Sequence, residues 1–530
     1  MKNIKHLILP VLLCGLTLGL TSCSSLFSVF GASSEDSVTL GEYAGHHITL
    51  EQISSSTSTR LVPSVGDSKI VVIPVYFSDY TPEDLGLDEN EVKTNLQATF
   101  FGAAEDTGWE SVSSFYKKSS YNQLNIDGMV TDCFSIDETL SDVAKKTGSS
   151  SYYDPTYYVV DKATKWFKEQ YSDVVKSYDT DNDGYIDGIW LVYLNPYMSS
   201  SQNLDFYIEH EGWSNDFYNR PNTSDYKDYE KLNKLLWAYT YWDYDTTANL
   251  ISPNSKCYAW ASYSFLSEGD YEKPDAHTFI HETGHMLGLD DYYSYDGDDA
   301  PVGGLCMMDN NIGDHEAYSK YLLGWISPKI VKETGTYELG KFSETGDTLL
   351  IPTNLSDFND SPYSEYLLLQ YYTPDGLNAF DSQNAYVSGA RMFTDSGILV
   401  YHVDARLMLV KQTLNGNISR TYTKWYQSPT NTSYVSIAAS NTASSSYSKG
   451  RLNTLISALY PSGLTNSLTV KGYIEKPYYF ADRGTMRADN RDLFKSGKGI
   501  TSFTFNNGRT LEYNIAISSI ENEKASITIS

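Results

Sequence analysis

Residues 281–291 read His-Glu-Thr-Gly-His-Met-Leu-Gly-Leu-Asp-Asp. On an α-helix, His281 and His285 stand about one turn apart and project from one face. Two imidazoles on one face can hold a zinc ion, and Glu282 can reach a water molecule on that ion. Gly288 lets the chain leave the helix through a left-handed turn. Asp291 can then return as a third ligand, leaving one coordination position open. The stretch predicts an open zinc site with a base beside it. Histidine occurs only nine times in 530 residues, so two at this spacing, with Gly288 and Asp291 at fixed offsets, make a poor accident. The bland alternative is an amphipathic helix carrying surface histidines.

The flanks support a helix. Pro274 and Asp275 make a start and an N-cap, and Phe279, Ile280, Thr283 and Leu287 form a largely apolar stripe. His277 lies one turn upstream on the same side. It reads as a partly exposed polar residue, or else as a support behind the metal. A second acidic stretch, Asp179-Thr180-Asp181-Asn182-Asp183-Gly184-Tyr185-Ile186-Asp187, alternates carboxylates around a glycine. Calcium takes many oxygen ligands, and this spacing lets Asp179, Asp181 and Asp183 converge, with the Tyr185 carbonyl and Asp187 completing much of the shell. Trp190 stands where an EF-hand loop needs its bidentate glutamate, and it falls within a short apolar run that reads as a strand instead of a helix. The expectation is a truncated calcium loop fixing the start of that strand; the alternative is an acidic turn without metal.

Outward from these sites the chain divides by composition. Lys2 and Lys5 precede an apolar run over residues 7–20, too short to span a membrane comfortably, which reads as a secretion signal. Leu20-Thr21-Ser22-Cys23 resembles a bacterial lipobox, in which Cys23 is lipidated and becomes the new N-terminus; an ordinary cleaved signal is the alternative. The expected organisation is a lipoprotein-type signal over 1–23, a Ser/Thr-rich tether over 24–60, a metal-binding domain over 61–328 and a β-rich domain over 329–530. Strands are predicted at 69–77, 123–130, 189–194 and 258–265, and helices at 91–100, 111–118, 155–176 and 314–325. Beyond 328, short apolar runs between turn signals, as at 348–351, 365–372, 397–403 and 434–438, suggest a β-sandwich. A net charge of −28 argues against nucleic acid and against direct attachment to anionic lipid. A lipid on Cys23 is therefore the expected link to a membrane's outer face. Cys133, Cys257 and Cys306 remain after the signal, too few for a disulfide framework, although one pair is possible.

Several segments together resemble the secreted bacterial zinc metallopeptidases typified by immune inhibitor A, a metzincin-like group. They are 69–79, Ser111-Val112, Phe115-Tyr116, Ser120-Tyr121, Gly128, the Asp-rich turn, 281–292, Gly303-Gly304, Met307-Met308, Lys320, Leu323-Gly324-Trp325, Glu365-Tyr366-Leu367 and 397–404. The resemblance implies an α/β zincin-type catalytic domain with catalytic zinc and often structural calcium. It also implies a methionine turn beneath the zinc, for which Met308 is the better match. The family often has proline where Asp290 stands, so two adjacent aspartates compete for the third-ligand role, and Asp291 has the matching spacing. The expected protein is a monomeric, surface-tethered endopeptidase acting on protein or peptide substrates, with Glu282 as general base. The alternative from another class is a non-catalytic adhesin or glycan-binding protein that retains a structural metal. His315 and Tyr318 are candidates for steadying the oxyanion by chain proximity alone, and a structural role suits each as well.

Overall fold

Strand β1 (Gly66–Tyr76) is the axis of the first half of the molecule. Its apolar run is buried on both faces, as the centre of a parallel sheet requires. Ile70 and Val72 enter one core, while Val71, Ile73 and Val75 enter the other. The computed structural model describes residues 60–146, 155–198, 201–243, 246–269, 271–295, 300–358, 361–412, 418–422, 433–442, 454–461 and 487–530. The expected signal, Cys23 and the tether up to residue 59 lie outside the described residues.

β2 (Leu124–Val130), β4 (Gly188–Tyr193), β5 (Tyr239–Trp242) and β6 (Cys257–Ser262) complete the sheet in the order β2-β1-β4-β6-β5, with the short β3 (Phe134–Ser135) also pairing with β1. All pairs are parallel except β5 with β6, where Thr240 stands opposite Ala259. Helices α1 (Glu89–Phe101) and α2 (Val112–Ser119) cover one face. Asp88 caps α1 by accepting the Asn90 and Glu91 N–H groups, and Ser111 caps α2 at Ser114. Helices α3 (Pro155–Gln170) and α4 (Ser224–Leu236) cover the other face.

Two predicted helices are shorter than expected. The one begun at Pro155 ends at Gln170, and a 3₁₀ turn at Val175–Tyr178 then drops Val175 and Tyr178 into the core. The one predicted over 314–325 is helical only at Ala317–Leu322. Asp314 is occupied by Ser119 and Lys320, Glu316 caps the helix at Ser319, and Gly324 turns it off with φ +80°. The three thiols Cys133, Cys257 and Cys306 are free.

Past residue 328 strands dominate. β7 (Lys329–Ile330), β9 (Thr348–Pro352), β10 (Glu365–Tyr372), β11 (Gly397–Asp404) and β15 (Ile456–Leu459) form one sheet in the order β15-β11-β10-β9-β7. β8 (Gly335–Gly340), β16 (Gly499–Ile500), β17 (Ile515–Glu521) and β18 (Lys524–Ile529) form a second, in the order β16-β17-β18-β8. β12 (Leu407–Gln412), β13 (Ile418–Tyr422) and β14 (Ser433–Ile437) form a small third, in the order β13-β12-β14. Leu367, Leu369 and Val400 share a core with Ile515, Ile517, Ile527 and Ile529. The alternate residues Leu350, Leu368, Tyr401 and Val403 belong instead to the core that holds Phe279 and Met308. The packing therefore runs unbroken across residue 328. Among the described residues no helix is long and apolar enough to cross a membrane.

Candidate metal centre

Helix α5 (His277–Met286) carries the motif and is buried along its whole length. The N-cap is Ala276, which has no side-chain cap, and not Asp275 as expected; Asp275, one residue earlier, accepts the His277 backbone N–H through Oδ1 at 3.0 Å. At the other end Gly288 adopts φ +99°, and the Leu289 N–H returns to the Gly284 carbonyl at 3.0 Å. This reversal brings Asp291 back over the helix.

His281 Nδ1 lies 2.7 Å from the Met307 carbonyl, and His285 Nδ1 lies 2.8 Å from the Leu289 carbonyl. A carbonyl oxygen can only accept, so each ring carries a hydrogen on Nδ1, and in the neutral form of each ring the Nε2 lone pair turns inward. Asp291 Oδ1 is 3.1 Å from each Nε2. With neutral rings, three acceptors converge in a buried space, an arrangement that needs a positive charge at its centre. Zinc bonds of roughly 2.0–2.2 Å at tetrahedral angles separate donors by about 3.3–3.5 Å, close to what is seen. Tyr295 donates its hydroxyl to Asp291 Oδ2 at 2.5 Å, which leaves Oδ1 as the atom that could ligate a metal.

Charge balance in the ion-free protein obeys the same geometry. Burial favours neutral His285, but Asp291 beside it pushes the imidazole up to about 10. Burial works against a charged Asp291 too, yet His285 and His281 hold it well below the usual carboxylate range. A divalent ion would supply this compensation to all three groups at once. Asp290 turns away: its Oδ2 accepts from Ser440 at 3.3 Å, and burial next to Asp291 pushes it up to about 7. Of the two adjacent aspartates, Asp291 is the one that meets the histidines.

Glu282 is raised above its ordinary value, chiefly by burial, against the pull of His285 and His281. Its Oε2 lies 3.0 Å from the Thr240 hydroxyl of β5. Met308 lies under the motif: a Cβ added at Gly284, between the two histidines, would stand 2.6 Å from the Met308 sulfur. The glycine is what lets that thioether approach.

His277 departs from its expected exposure. It is 0% exposed, stacked between Trp109 and Tyr386 at 4.5 and 4.2 Å between ring centroids. Its Nδ1 pairs with Asp275 at 2.6 Å, and its Nε2 faces Asp381 at 3.7 Å. Burial favours the neutral ring, but the two aspartates push it up to about 9. Helical spacing places the residue, but its partners Asp381 and Tyr386 lie more than a hundred residues downstream and leave no local trace. His315 is packed against Phe115, Tyr116 and Trp325, and Tyr318 is fully buried, so both are core groups.

The acidic loop is brought together in part. Ligand oxygens of Asp179, Asp181 and Asp183 lie within 4.8 Å of one another. Asp187 does not join them. It accepts the Lys69 N–H at 2.8 Å, the Thr180 N–H at 2.9 Å and the Thr180 hydroxyl at 2.7 Å, and so ties the loop to β1. Tyr185 bridges Asn254, and its N–H donates to Asp183 Oδ1 at 2.9 Å. Arg60 pairs with Asp183 and Lys176 with Asp179. Neither Thr240 nor Tyr295 stands out in the sequence. Tyr295 is four residues beyond Asp291, but Thr240 is 42 residues from Glu282 and carries no local signal.

Comparison with models of known protein families and with curated proteins finds no match for this chain. The likeness to the immune inhibitor A group rests on its motifs alone.

Proposed function

We propose that the protein is a zinc-dependent endopeptidase, exported and tethered through a lipid on Cys23. The observation that carries the reading is the convergence of His281 Nε2, His285 Nε2 and Asp291 Oδ1, all buried, with both imidazole N–H groups engaged by main-chain carbonyls. On this reading the parallel sheet with α5 is a zincin-type α/β catalytic domain, followed by a β-sandwich. Asp179, Asp181 and Asp183, with the Tyr185 carbonyl expected beside them, would hold calcium.

His281, His285 and Asp291 would hold the zinc. When bound, that ion supplies Lewis acidity, polarising a peptide carbonyl and acidifying water. Glu282 takes a proton from water on one carboxylate oxygen and returns it to the leaving nitrogen. Tyr295 and the carbonyls of Met307 and Leu289 keep the three ligand atoms aimed.

Metal analysis of the purified protein, with casein cleavage measured with and without chelator, tests the reading. Bound zinc and chelator-sensitive cleavage are expected. Glu282→Ala should lower turnover by about 10²–10⁴-fold with zinc retained. Stoichiometric metal with no cleavage of any protein substrate would sink the peptidase and favour an adhesin. Asp291→Ala should lose zinc on dialysis, whereas Asp290→Asn should keep it; the reverse pattern would exchange their roles.

A further inference from the structure

Thr240 belongs to β5, the antiparallel edge of the first sheet, yet its side chain leaves the sheet for the motif helix. It is 1% exposed, and its Oγ1 lies 2.9 Å from the Glu282 carbonyl and 3.0 Å from Glu282 Oε2. Along β5 the residues alternate: Thr240 and Trp242 are buried, while Tyr239 and Tyr241 are half-buried. The pleat therefore fixes which residue meets the helix.

A glutamate on a helix has three side-chain torsions to settle. The residues beside it in the motif engage the carbonyls of Met307 and Leu289 or Asp291, and among the described residues Thr240 is the side chain that hydrogen-bonds its carboxylate. Glu282 Oε1 makes no hydrogen bond among the described residues and is the oxygen left for water. From this geometry we infer that Thr240 is a positioning residue for Glu282: its hydroxyl fixes Oε2 so that Oε1 faces the reacting water. The inference rests on the peptidase reading for its catalytic consequence, but the orientation of the carboxylate can be read without it.

A merely structural role is a real competitor, because a hydroxyl bound to a helix carbonyl also steadies the fold. Thr240→Val removes the hydroxyl with little change of shape, Thr240→Ala guards against poor packing by valine, and Thr240→Ser restores the hydroxyl. The expected result is a kcat lowered about tenfold or more in the Val and Ala variants, since small misplacements of a catalytic group cost up to roughly 10²-fold. KM and zinc content should stay near wild type, and the Ser variant should recover most of the rate. Crystal structures of wild type and Thr240→Val supply the second readout. Glu282 should keep one carboxylate orientation in the first and lose it in the second. An unchanged kcat in the Val and Ala variants overturns the inference, as does a Glu282 carboxylate that keeps its place without the hydroxyl. If the wild-type protein cleaves nothing in a chelator-sensitive way, the peptidase reading falls, and the crystallographic comparison still decides whether Thr240 orients Glu282.

Discussion

His277 sits where no solvent reaches, between Asp275 and Asp381 and between two aromatic faces, a setting in which the two carboxylates favour its charged form. Removing one partner of such a group leaves an uncompensated buried charge, which is far costlier than removing a surface ion pair. The two aspartates raise the folded-state value from 6.5 to about 9 against the opposing effect of burial. The native state therefore binds a proton the unfolded chain has released, and the linked stability is present below about 6.5 and lost as pH rises through about 9. The shift corresponds to about 3 kcal/mol. Urea unfolding of wild type and His277→Gln should show the wild-type advantage shrinking by about that amount between pH 6 and pH 10. An advantage independent of pH would mean that the ring is neutral throughout.

Elements differ in how much of them the sequence reveals. β1, α1 and α2 are legible because an unbroken apolar run, an Asp88 cap and a Ser111 cap each have a local signature. α4 and β5 are not. α4 buries Tyr229, Leu232, Leu235 and Leu236 within a charged sequence, and β5 is a four-residue strand whose aromatic residues fit either face. The candidate metal ligands are legible because one helix and one turn carry all three, whereas Thr240 reaches the site only through tertiary packing. In the acidic loop Asp179, Asp181 and Asp183 converge as their spacing suggests, whereas the Asp187 carboxylate accepts from the backbone of Lys69 and Thr180. That loop also holds a neighbour: the Gly184 carbonyl accepts from Asn249 at 2.9 Å and from Asn254 at 3.2 Å in the β5–β6 connection. Calcium at 100 times its dissociation constant should thus stabilise by about 2.7 kcal/mol. Raising calcium should lift the melting temperature and slow proteolysis within 246–256 in wild type. Asp181→Ala should lose both responses while keeping zinc. A variant that still responds fully would place calcium elsewhere.

For the whole molecule, residue 328 marks a change in element type and no gap in packing. Gln370 accepts the Ala317 N–H, Asp381 accepts the Gly313 N–H, and Asn441 donates to the Tyr292 carbonyl. A chain ending at residue 328 would expose the apolar surface that meets Leu350, Leu368 and Tyr401. It would also strip His277 of Asp381 and Tyr386. Expressed alone, residues 60–328 should bind a hydrophobic dye and lack near-ultraviolet dichroism, as loosely packed states do, while the full chain should unfold in one calorimetric transition across both halves. Two separate transitions, or a well-folded fragment, would refute this coupling.

The carbonyl oxygens of Met307 and Leu289 decide which nitrogen of each imidazole bears hydrogen, and a carbonyl has no side chain to replace. Alanine scanning is blind to such supports. A mutational survey of this centre will consequently under-count what assembles it, and backbone ester substitution at the two succeeding peptide bonds, which weakens a carbonyl acceptor without altering any side chain, is the chemistry that would reveal their share.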